Sequence, residues 1–229
     1  MSKTVCIDAG HGGRDSGAVN KSRYEKYDTL KLANILKSEL SKLDVNVIMT
    51  RTEDKYVSLS ERTDFANKNK ADLFISIHRN AFTSDSANGV EIWIYVKTDE
   101  NTERCAKGII NELEAVGIQS DRGVKRGNFH VTRETKMPAC LLELGFISNP
   151  KDNELFESKI YLYAKAIAKA VCEHLGICVK EDEVIQENNC ADGASCRLYR
   201  VQVGAYKNEE NANKVVAELK EKGYSAFVV

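Results

Sequence analysis

The chain has 229 residues, 42% of them hydrophobic and 29% charged, which is the balance of an ordinary globular protein. Its formal net charge of -1 argues against a general nucleic-acid binder, because such proteins carry an excess of basic residues. No stretch approaches the roughly 20 consecutive apolar residues of a membrane-spanning helix, so we do not expect a membrane as a partner either.

Patterns typical of strands and helices alternate through residues 1–176. β-rich or continuous apolar runs predict strands at residues 4–7, 45–49, 73–77, 90–96 and 140–142. Apolar residues at helical spacing predict helices around residues 33–43, 106–116 and 160–175. Ser58 and Glu61 have the spacing of a capping box and predict a helix from there through Ala66. In the run 90–96, Glu91, Trp93 and Tyr95 alternate with apolar residues, which predicts a strand with one wetter face. Buried strands interleaved with helices predict an α/β fold, with a mostly parallel twisted sheet that helices cover.

The alternation ends near residue 177, and residues 177–196 are a polar stretch without a period that we interpret as a linker. Residues 197–229 are a second unit, with a strand-like run at 198–203, a helix capped by Asn208 and a returning strand at 224–229. This small βαβ module is shorter than most chains that fold alone. We therefore expect it to dock on another surface or to pair with a second copy.

Three strand runs are followed or ended by side chains that suit catalysis. His11 comes just after the run 4–7, His78 follows the run 73–77, and Glu143 follows the run 140–142. Because ligands of open α/β sheets gather at the carboxyl ends of strands, we expect the three side chains to meet at one edge of the sheet. Glu143 is the most informative, since a charge within an apolar run is costly unless it has a partner.

Two imidazoles and one carboxylate are a typical ligand set for a catalytic zinc ion, with one position left for water. The candidate ligands in this chain are His11, Glu25 and His78. Glu143 could then transfer the proton that hydrolysis requires. On spacing alone, Asp15 and Asp28 are alternatives to Glu25, and a structural role stays open for either histidine.

Three other polar residues are expected to lie outside the ligand set. Asp8, at the end of the first strand run, is expected to be an outer partner that orients a ligand histidine. His130 and His174 are expected to be structural or exposed. His174 falls late in a predicted helix, where a positive charge interacts favourably with the helix dipole.

A series of motifs contains these candidate residues. They are Asp8-Ala9-Gly10-His11-Gly12-Gly13-Arg14-Asp15-Ser16-Gly17-Ala18, Glu25-Lys26, Thr50-Arg51 with Leu59 and Arg62, Ala66-Asn67, the segment ADLFISIHRNA at 71–81, Gly89-Val90-Glu91, and the segment MPACLLELGFISNP at 137–150. In order and approximate spacing, the series resembles the zinc-dependent N-acetylmuramoyl-L-alanine amidases of the type 3 amidase family. The resemblance extends from the first strand to about Gly176.

The resemblance implies that residues 1–176 are a catalytic domain in which one zinc ion is bound by His11, Glu25 and His78. It implies that Glu143 is the catalytic carboxylate. The implied reaction is hydrolysis of the amide between N-acetylmuramic acid and L-alanine in peptidoglycan. Asn80, which lies in the same motif as His78, is a predicted substrate contact.

The segment LYRVQVGAY at 198–206, with the helix and strand after it, resembles the opening half of a SPOR domain. That family uses two βαβ halves to bind glycan strands that have lost their peptides, and this chain carries one half. Arg200 and Gln202 share a strand face and are predicted sugar contacts, although a solvated strand face would explain them as well. Two chains that pair their half-modules would complete the sheet, so a homodimer is possible.

Bacterial peptidoglycan is the expected partner, and the biological role stays open between a phage or prophage endolysin and an autolysin. Met1-Ser2-Lys3 leads directly into the first strand run. Since this start lacks an apolar signal segment, we expect synthesis in the cytoplasm and release to the wall through a holin-type pore or on lysis. Two other classes remain as alternatives, a non-catalytic zinc-stabilised peptidoglycan-binding protein and a different zinc amidohydrolase.

Overall fold

The computed structural model describes residues 2–118, 122–177, 208–224 and 226. The chain divides into two compact units, Met1–Val179 and Lys180–Val229. The strands are β1 (Lys3–Ala9), β2 (Val19–Asn20), β3 (Arg23–Tyr24), β4 (Val45–Met49), β5 (Leu73–Asn80), β6 (Val90–Tyr95), β7 (Val124–Gly127) and β8 (Ala139–Phe146). The helices are α1 (Glu25–Leu40), α2 (Leu59–Lys68), α3 (Glu100–Ala115), α4 (His130–Arg133), α5 (Pro150–His174) and α6 (Glu209–Glu221).

The central sheet has the strand order β4-β1-β5-β8-β6-β7, and β2 pairs with β3 in a separate hairpin. Strands β4, β1, β5 and β8 are parallel to one another, β6 is antiparallel to β8, and β7 is parallel to β6. The predicted α/β fold with a mostly parallel sheet is therefore confirmed. The sequence patterns do not predict β7 or the hairpin, because these strands are short and lack an apolar run.

The two faces of the sheet are covered to different extents. Helices α1, α3 and α5 pack on one face, over buried residues such as Ile7, Ile75 and Leu142. A smaller apolar cluster around Phe74 and Leu141 joins the other face to α2 and α4. Because successive strand residues alternate between faces, His78 and Glu143 lie on this second face, beyond the apolar cluster.

Local signals in the sequence fix the beginnings of several helices. Ser58 and Glu61 form the predicted capping box of α2, in which each side chain accepts a hydrogen bond from the backbone N–H of the other residue. Asn149 caps α5 by accepting from the backbone N–H groups of Lys151 and Asp152. Helix α1 begins at Glu25 without a side-chain cap from Tyr24, so Glu25 lies in the first turn of the helix.

The strand 90–96 has the predicted wetter face at Trp93 and Tyr95, which are half-buried, but Glu91 on that face is buried and only 3% exposed. Four donors, from Asn80, Trp93, Arg122 and Lys125, surround its carboxylate and satisfy it without water. The wetter face of this strand therefore begins at a buried ionic group and becomes more exposed toward Tyr95.

The second unit is described through its helix. Helix α6 follows Asn208, whose side-chain oxygen accepts from the backbone N–H of Glu210 at 2.8 Å, so the predicted capped helix is confirmed. The predicted linker, the strand at 198–203 with Arg200 and Gln202, and most of the strand at 224–229 lie outside the described residues. Among the described residues, no helix combines the length and apolar character needed to cross a membrane.

Candidate active site

Three acidic or basic side chains form a row across the carboxyl edge of the sheet. His78 on β5 lies beside Glu143 on β8, and Glu143 is directly opposite Glu91 on β6. Residues paired across neighbouring strands point to the same face, so the three side chains line one surface. Gly10 continues the row past β1, where its N–H donates to the Ile77 carbonyl at 3.1 Å.

His11 and Glu25 approach His78 from the loop after β1 and from the first turn of α1. The distance from His11 Nε2 to Glu25 Oε2 is 3.1 Å, and that from His78 Nδ1 to Glu25 Oε1 is 3.0 Å. The donor atoms of the three residues lie within 4.8 Å of one another. The structure thus brings the three predicted ligands together, and we refer to them as the ligand cluster.

Outer hydrogen bonds fix the orientation of the ligand cluster. The Glu25 carboxylate accepts from the backbone N–H groups of Ala18 at 2.8 Å and Arg79 at 2.9 Å. Asp15 Oδ2 lies 3.0 Å from His11 Nδ1, on the side of the ring away from Glu25. A carboxylate in this position sets the tautomer of a ligand histidine and makes it more basic.

The charges in the ligand cluster depend on one another. Burial raises the pKa of Glu25, but hydrogen bonds from His11 and His78 outweigh burial and hold this pKa far below its usual range. Burial lowers the pKa of His11, but Glu25 and Asp15 outweigh it and raise this pKa above its usual value. Without an ion, the cluster therefore favours a carboxylate anion next to a protonated imidazole.

The pKa of Glu143 is shifted in the direction opposite to that of Glu25. Its Oε2 atom is buried and, among the described residues, has no hydrogen-bond partner. Burial, with additional repulsion from Glu25 and Glu91, raises the pKa of Glu143 to about 7, although His78 opposes the rise. A carboxyl group with a pKa near neutrality can both accept and donate a proton at the pH of the cell.

A buried ion pair shapes the loop that carries His11. Asp8 accepts hydrogen bonds from Thr50, Ser76 and Arg62, and Arg62 in turn donates to the carbonyl oxygen of His11 at 2.7 Å. His11 has a φ of 60°, a left-handed conformation that an L-residue adopts only when its surroundings impose it. Asp8 is thus an outer partner of His11, as expected, but it acts on the His11 backbone through Arg62 and not on the imidazole.

At two glycines, the absence of a side chain provides space for the ligand cluster. A Cβ atom at Gly10 would lie 2.3 Å from Cε1 of His78, although the backbone there is ordinary. A Cβ atom at Gly17 would lie 2.6 Å from both Glu25 and His11, and the φ of Gly17 is 63°. Any larger residue at these positions would displace a ligand side chain.

A cleft of about 210 Å³ opens beside the ligand cluster and reaches to α2 and α4. Its outer wall includes the partly exposed side chains of Tyr56, Leu59 and Phe129. His130 also lines this cleft, and its Nε2 atom is buried and has no hydrogen-bond partner among the described residues. Nothing in the sequence around His130 signals this placement, because α4 has only 4 residues and shows no period.

The other predicted residues have varied positions. Asn80 donates through Nδ2 to Glu91 Oε1 at 3.0 Å and accepts from the Ala81 N–H, so its amide supports the row across the sheet. His174 lies in the last turn of α5 and is not part of the ligand cluster. Arg200 and Gln202 are outside the described residues.

A carboxyl group with a pKa near neutrality in this position suits general acid–base catalysis. The sequence profile described as N-acetylmuramoyl-L-alanine amidase matches residues 5–173, and the SPOR domain profile matches residues 197–229. The N-acetylmuramoyl-L-alanine amidase CwlM of Bacillus licheniformis is 36% identical over 227 residues, covering 98% of this chain and 84% of that protein. A sporulation-specific N-acetylmuramoyl-L-alanine amidase of Bacillus subtilis (strain 168) is 35% identical over the same shares of each chain.

Solved structures agree with the sequence relatives. The catalytic domain of CwlV, an N-acetylmuramoyl-L-alanine amidase from Bacillus (Paenibacillus) polymyxa var. colistinus, superposes with a TM-score of 0.70 at 36% identity. That match covers 77% of this chain and 99% of the CwlV domain. An N-acetylmuramoyl-L-alanine amidase from Clostridium difficile 630 gives a TM-score of 0.68 at 35% identity, covering 76% of this chain and 95% of that one. The chain belongs to the N-acetylmuramoyl-L-alanine amidase family and is a cell-wall amidase.

Proposed function

We propose that this amidase is zinc-dependent, that His11, Glu25 and His78 hold one zinc ion, and that Glu143 transfers the proton during hydrolysis. The bond cleaved is the amide between the lactyl group of N-acetylmuramic acid and L-alanine. The observation that carries the proposal is the unpartnered, buried oxygen of Glu143, one strand away from His78. A buried carboxylate without a partner destabilises the fold, so its place beside three metal-type ligands favours a catalytic role.

The ligand cluster fits the chemistry of zinc. Its donors are two imidazole nitrogens and a carboxylate oxygen, the set that catalytic zinc sites use. These donor atoms lie within 4.8 Å of one another, so rotation of the side chains would bring all three onto one ion. A zinc ion bound there would act as a Lewis acid toward the scissile carbonyl and would lower the pKa of a water molecule to about 7.

The protein's own residues would move the protons and hold the geometry. The Glu143 carboxylate would take the proton of the attacking water and pass it to the departing amine of L-alanine. Asp15 and the backbone N–H groups on Glu25 would keep the ligand side chains oriented. Burial of Glu143 contributes as well, because it raises the pKa to about 7 and makes the same group an effective base and acid.

The experiment is digestion of purified peptidoglycan, followed by mass spectrometry of the fragments. Cleavage by the zinc-loaded protein should free the amino group of L-alanine and create no new reducing sugar. Glu143→Gln should retain zinc, measured by metal analysis, and lose about 100- to 10,000-fold in turnover. New reducing ends would mean a different reaction, and full activity of Glu143→Gln would remove Glu143 from the mechanism.

The alternative is a non-catalytic peptidoglycan-binding protein stabilised by zinc. A closed site with four protein ligands would favour it, whereas the ligand cluster offers three residues among those described. Wall binding with no release of L-alanine amino groups by the zinc-loaded chain would support this alternative.

The biological role that we propose is that of a bacterial autolysin, with a phage or prophage endolysin as the alternative. The two Bacillus amidases that match 98% of this chain support a bacterial role. For residues 197–229 we propose binding to peptidoglycan, with Arg200 and Gln202 as sugar contacts, since the SPOR profile matches this segment. Pairing of two such modules into a homodimer stays a prediction, and the mass of the particle in sedimentation would test it.

A further inference from the structure

A second cavity, of about 480 Å³, lies on the far side of Glu143 from the ligand cluster. It is lined by Ser86, Ala87, Asn88, Arg122 and Lys125, and we refer to it as the basic pocket. Residues 81–89 connect β5 to β6, and Arg122 lies two residues before the start of β7, so the basic pocket opens at the same edge of the sheet as His78, Glu143 and Glu91.

One buried carboxylate holds the two cations of the basic pocket in place. Glu91 Oε2 accepts from Arg122 Nε at 2.7 Å and from Lys125 Nζ at 2.5 Å. Glu91 Oε1 accepts from Asn80 and from the indole of Trp93 at 3.0 and 2.9 Å. Burial raises the pKa of Glu91, but Lys125 and Arg122 outweigh it and lower this pKa, so Glu91 stays charged.

The charges of the basic pocket do not cancel. Two cations face one anion, and the Glu91 side chain is only 4% exposed, whereas those of Arg122 and Lys125 are 35% and 33% exposed. Among the described residues, the Nη atoms of Arg122 make no hydrogen bond, so the forked end of the guanidinium is available to a ligand. The guanidinium also lies over the Phe146 ring at 5.0 Å, which restricts its orientation. A fixed guanidinium beside an ammonium group suits a planar carboxylate.

The short distance between the basic pocket and Glu143 limits which carboxylate of the substrate the pocket can bind. Glu91 lies directly opposite Glu143, and paired Cβ atoms on neighbouring strands are about 5 Å apart. A ligand group held by Arg122 and Lys125 is therefore a few covalent bonds from an amide that reacts at Glu143. In the stem peptide, the nearest free carboxylate after L-alanine is the α-carboxylate of the second residue, D-glutamate.

We propose that the basic pocket is a specificity subsite, in which Arg122 and Lys125 bind the α-carboxylate of the second stem-peptide residue. The inference rests on the proposed amidase reaction and names the substrate group that the enzyme selects. Peptides with D-glutamate at this position are preferred, and peptides with D-isoglutamine, in which an amide replaces the carboxylate, are cleaved slowly. The subsite positions the L-alanine amide against Glu143, and this chain discriminates walls by their amidation.

The test compares two soluble muropeptides that differ only in a carboxylate or a carboxamide on the second residue. Wild-type enzyme should cleave the D-glutamate form with a kcat/KM about 10-fold higher or more. Arg122→Gln and Lys125→Gln should each lower kcat/KM about 10- to 100-fold for the D-glutamate form and less than threefold for the D-isoglutamine form. Purified peptidoglycan, with its free carboxylates intact or chemically amidated, serves as a second substrate pair if the muropeptides are too small.

Arg126→Gln is the matched control, because it removes the same charge from the next residue of β7 while its partner is the distant Glu103. It should leave the preference between the two substrates unchanged. Equal cleavage of both forms by wild-type enzyme, or equal loss on both forms in Arg122→Gln, would overturn the subsite. Release of L-alanine amino groups without any discrimination would overturn the subsite alone, whereas no release from any substrate would overturn the proposed reaction as well.

Discussion

Gly10 controls the position of His78, and the substitution Gly10→Ala tests this directly. An added Cβ atom would lie 2.3, 2.6 and 2.7 Å from three ring atoms of His78. Carbon atoms in contact are separated by about 3.5–4.0 Å, so the imidazole would have to move by roughly 1 Å. The backbone at Gly10 is not in the left-handed region, so the effect of the substitution is steric.

Zinc sites tolerate only small changes in the distances between the ion and its ligands, and this decides the effect of Gly10→Ala on metal binding. Ligand distances in zinc sites vary by only about 0.2 Å, and a Cβ atom in the space of the His78 imidazole would prevent the ring from reaching such a distance. Loss of an outer partner alone weakens metal affinity by about 10- to 100-fold, and loss of a ligand should weaken it by more. We therefore expect Gly10→Ala to bind zinc at least 100-fold more weakly and to lose activity in parallel.

The assay is a zinc titration against a competing chelator, combined with circular dichroism to confirm that the variant folds. Gly108→Ala is the matched control, since a Cβ atom at this position in α3 meets nothing within 4 Å. In a helix interior, this change should stabilise the fold by about 1 kcal/mol and leave zinc affinity unchanged. If a folded Gly10→Ala bound zinc within threefold of wild type, the steric argument would be refuted and His78 would not be a ligand in this orientation.

Two further predictions concern pH. In the metal-free protein, Glu143 has a pKa of about 7 in place of 4.5, so the folded state binds the proton more tightly and stability falls as the pH rises through this window. The free energy of unfolding should fall by about 3 kcal/mol as the pH rises through this window. In Glu143→Gln this decrease should be smaller when unfolding is followed by the fluorescence of Trp93 at pH 5 and pH 8. Identical decreases in the two proteins would contradict the prediction. Zinc affinity should rise with pH until His11 is deprotonated, because Glu25 and Asp15 raise the His11 pKa. In Asp15→Asn the plateau should begin at a lower pH, and an unshifted titration curve would exclude this role of Asp15.

The strands that sequence patterns predict correctly are those with continuous apolar or β-rich runs. The continuous runs of β5 and β8 identify these strands and, with them, the edge on which His78 and Glu143 lie. Spacing leaves Glu25, Asp15 and Asp28 as equal candidates, because only the folded chain separates their surroundings. Glu25 lies between the two imidazoles, Asp15 on the outer nitrogen of His11, and Asp28 beside two arginines.

The features that sequence patterns miss depend on pairing between distant segments. Glu91 is read as a solvated strand residue, since nothing near it in the chain reveals that Arg122 and Lys125 will reach it. His130 is likewise set aside, because its place in the cleft depends on the packing of a single short helix turn. In both examples the surroundings of a polar side chain depend on segments distant in the sequence, such as Arg122 and Lys125 for Glu91, and no local period reports them.

The order of strands in the sheet also bears on the sequence of events during synthesis. Strand β8 inserts between β5 and β6, although β6 leaves the ribosome first. His11, Glu25 and His78 precede Glu143 in the chain and lie on or beside β1, α1 and β5, so we expect that they can meet before β8 is synthesised. Glu143, for which we propose proton transfer, joins the sheet only with β8, and we expect the growing polypeptide to stay inert toward its substrate until then.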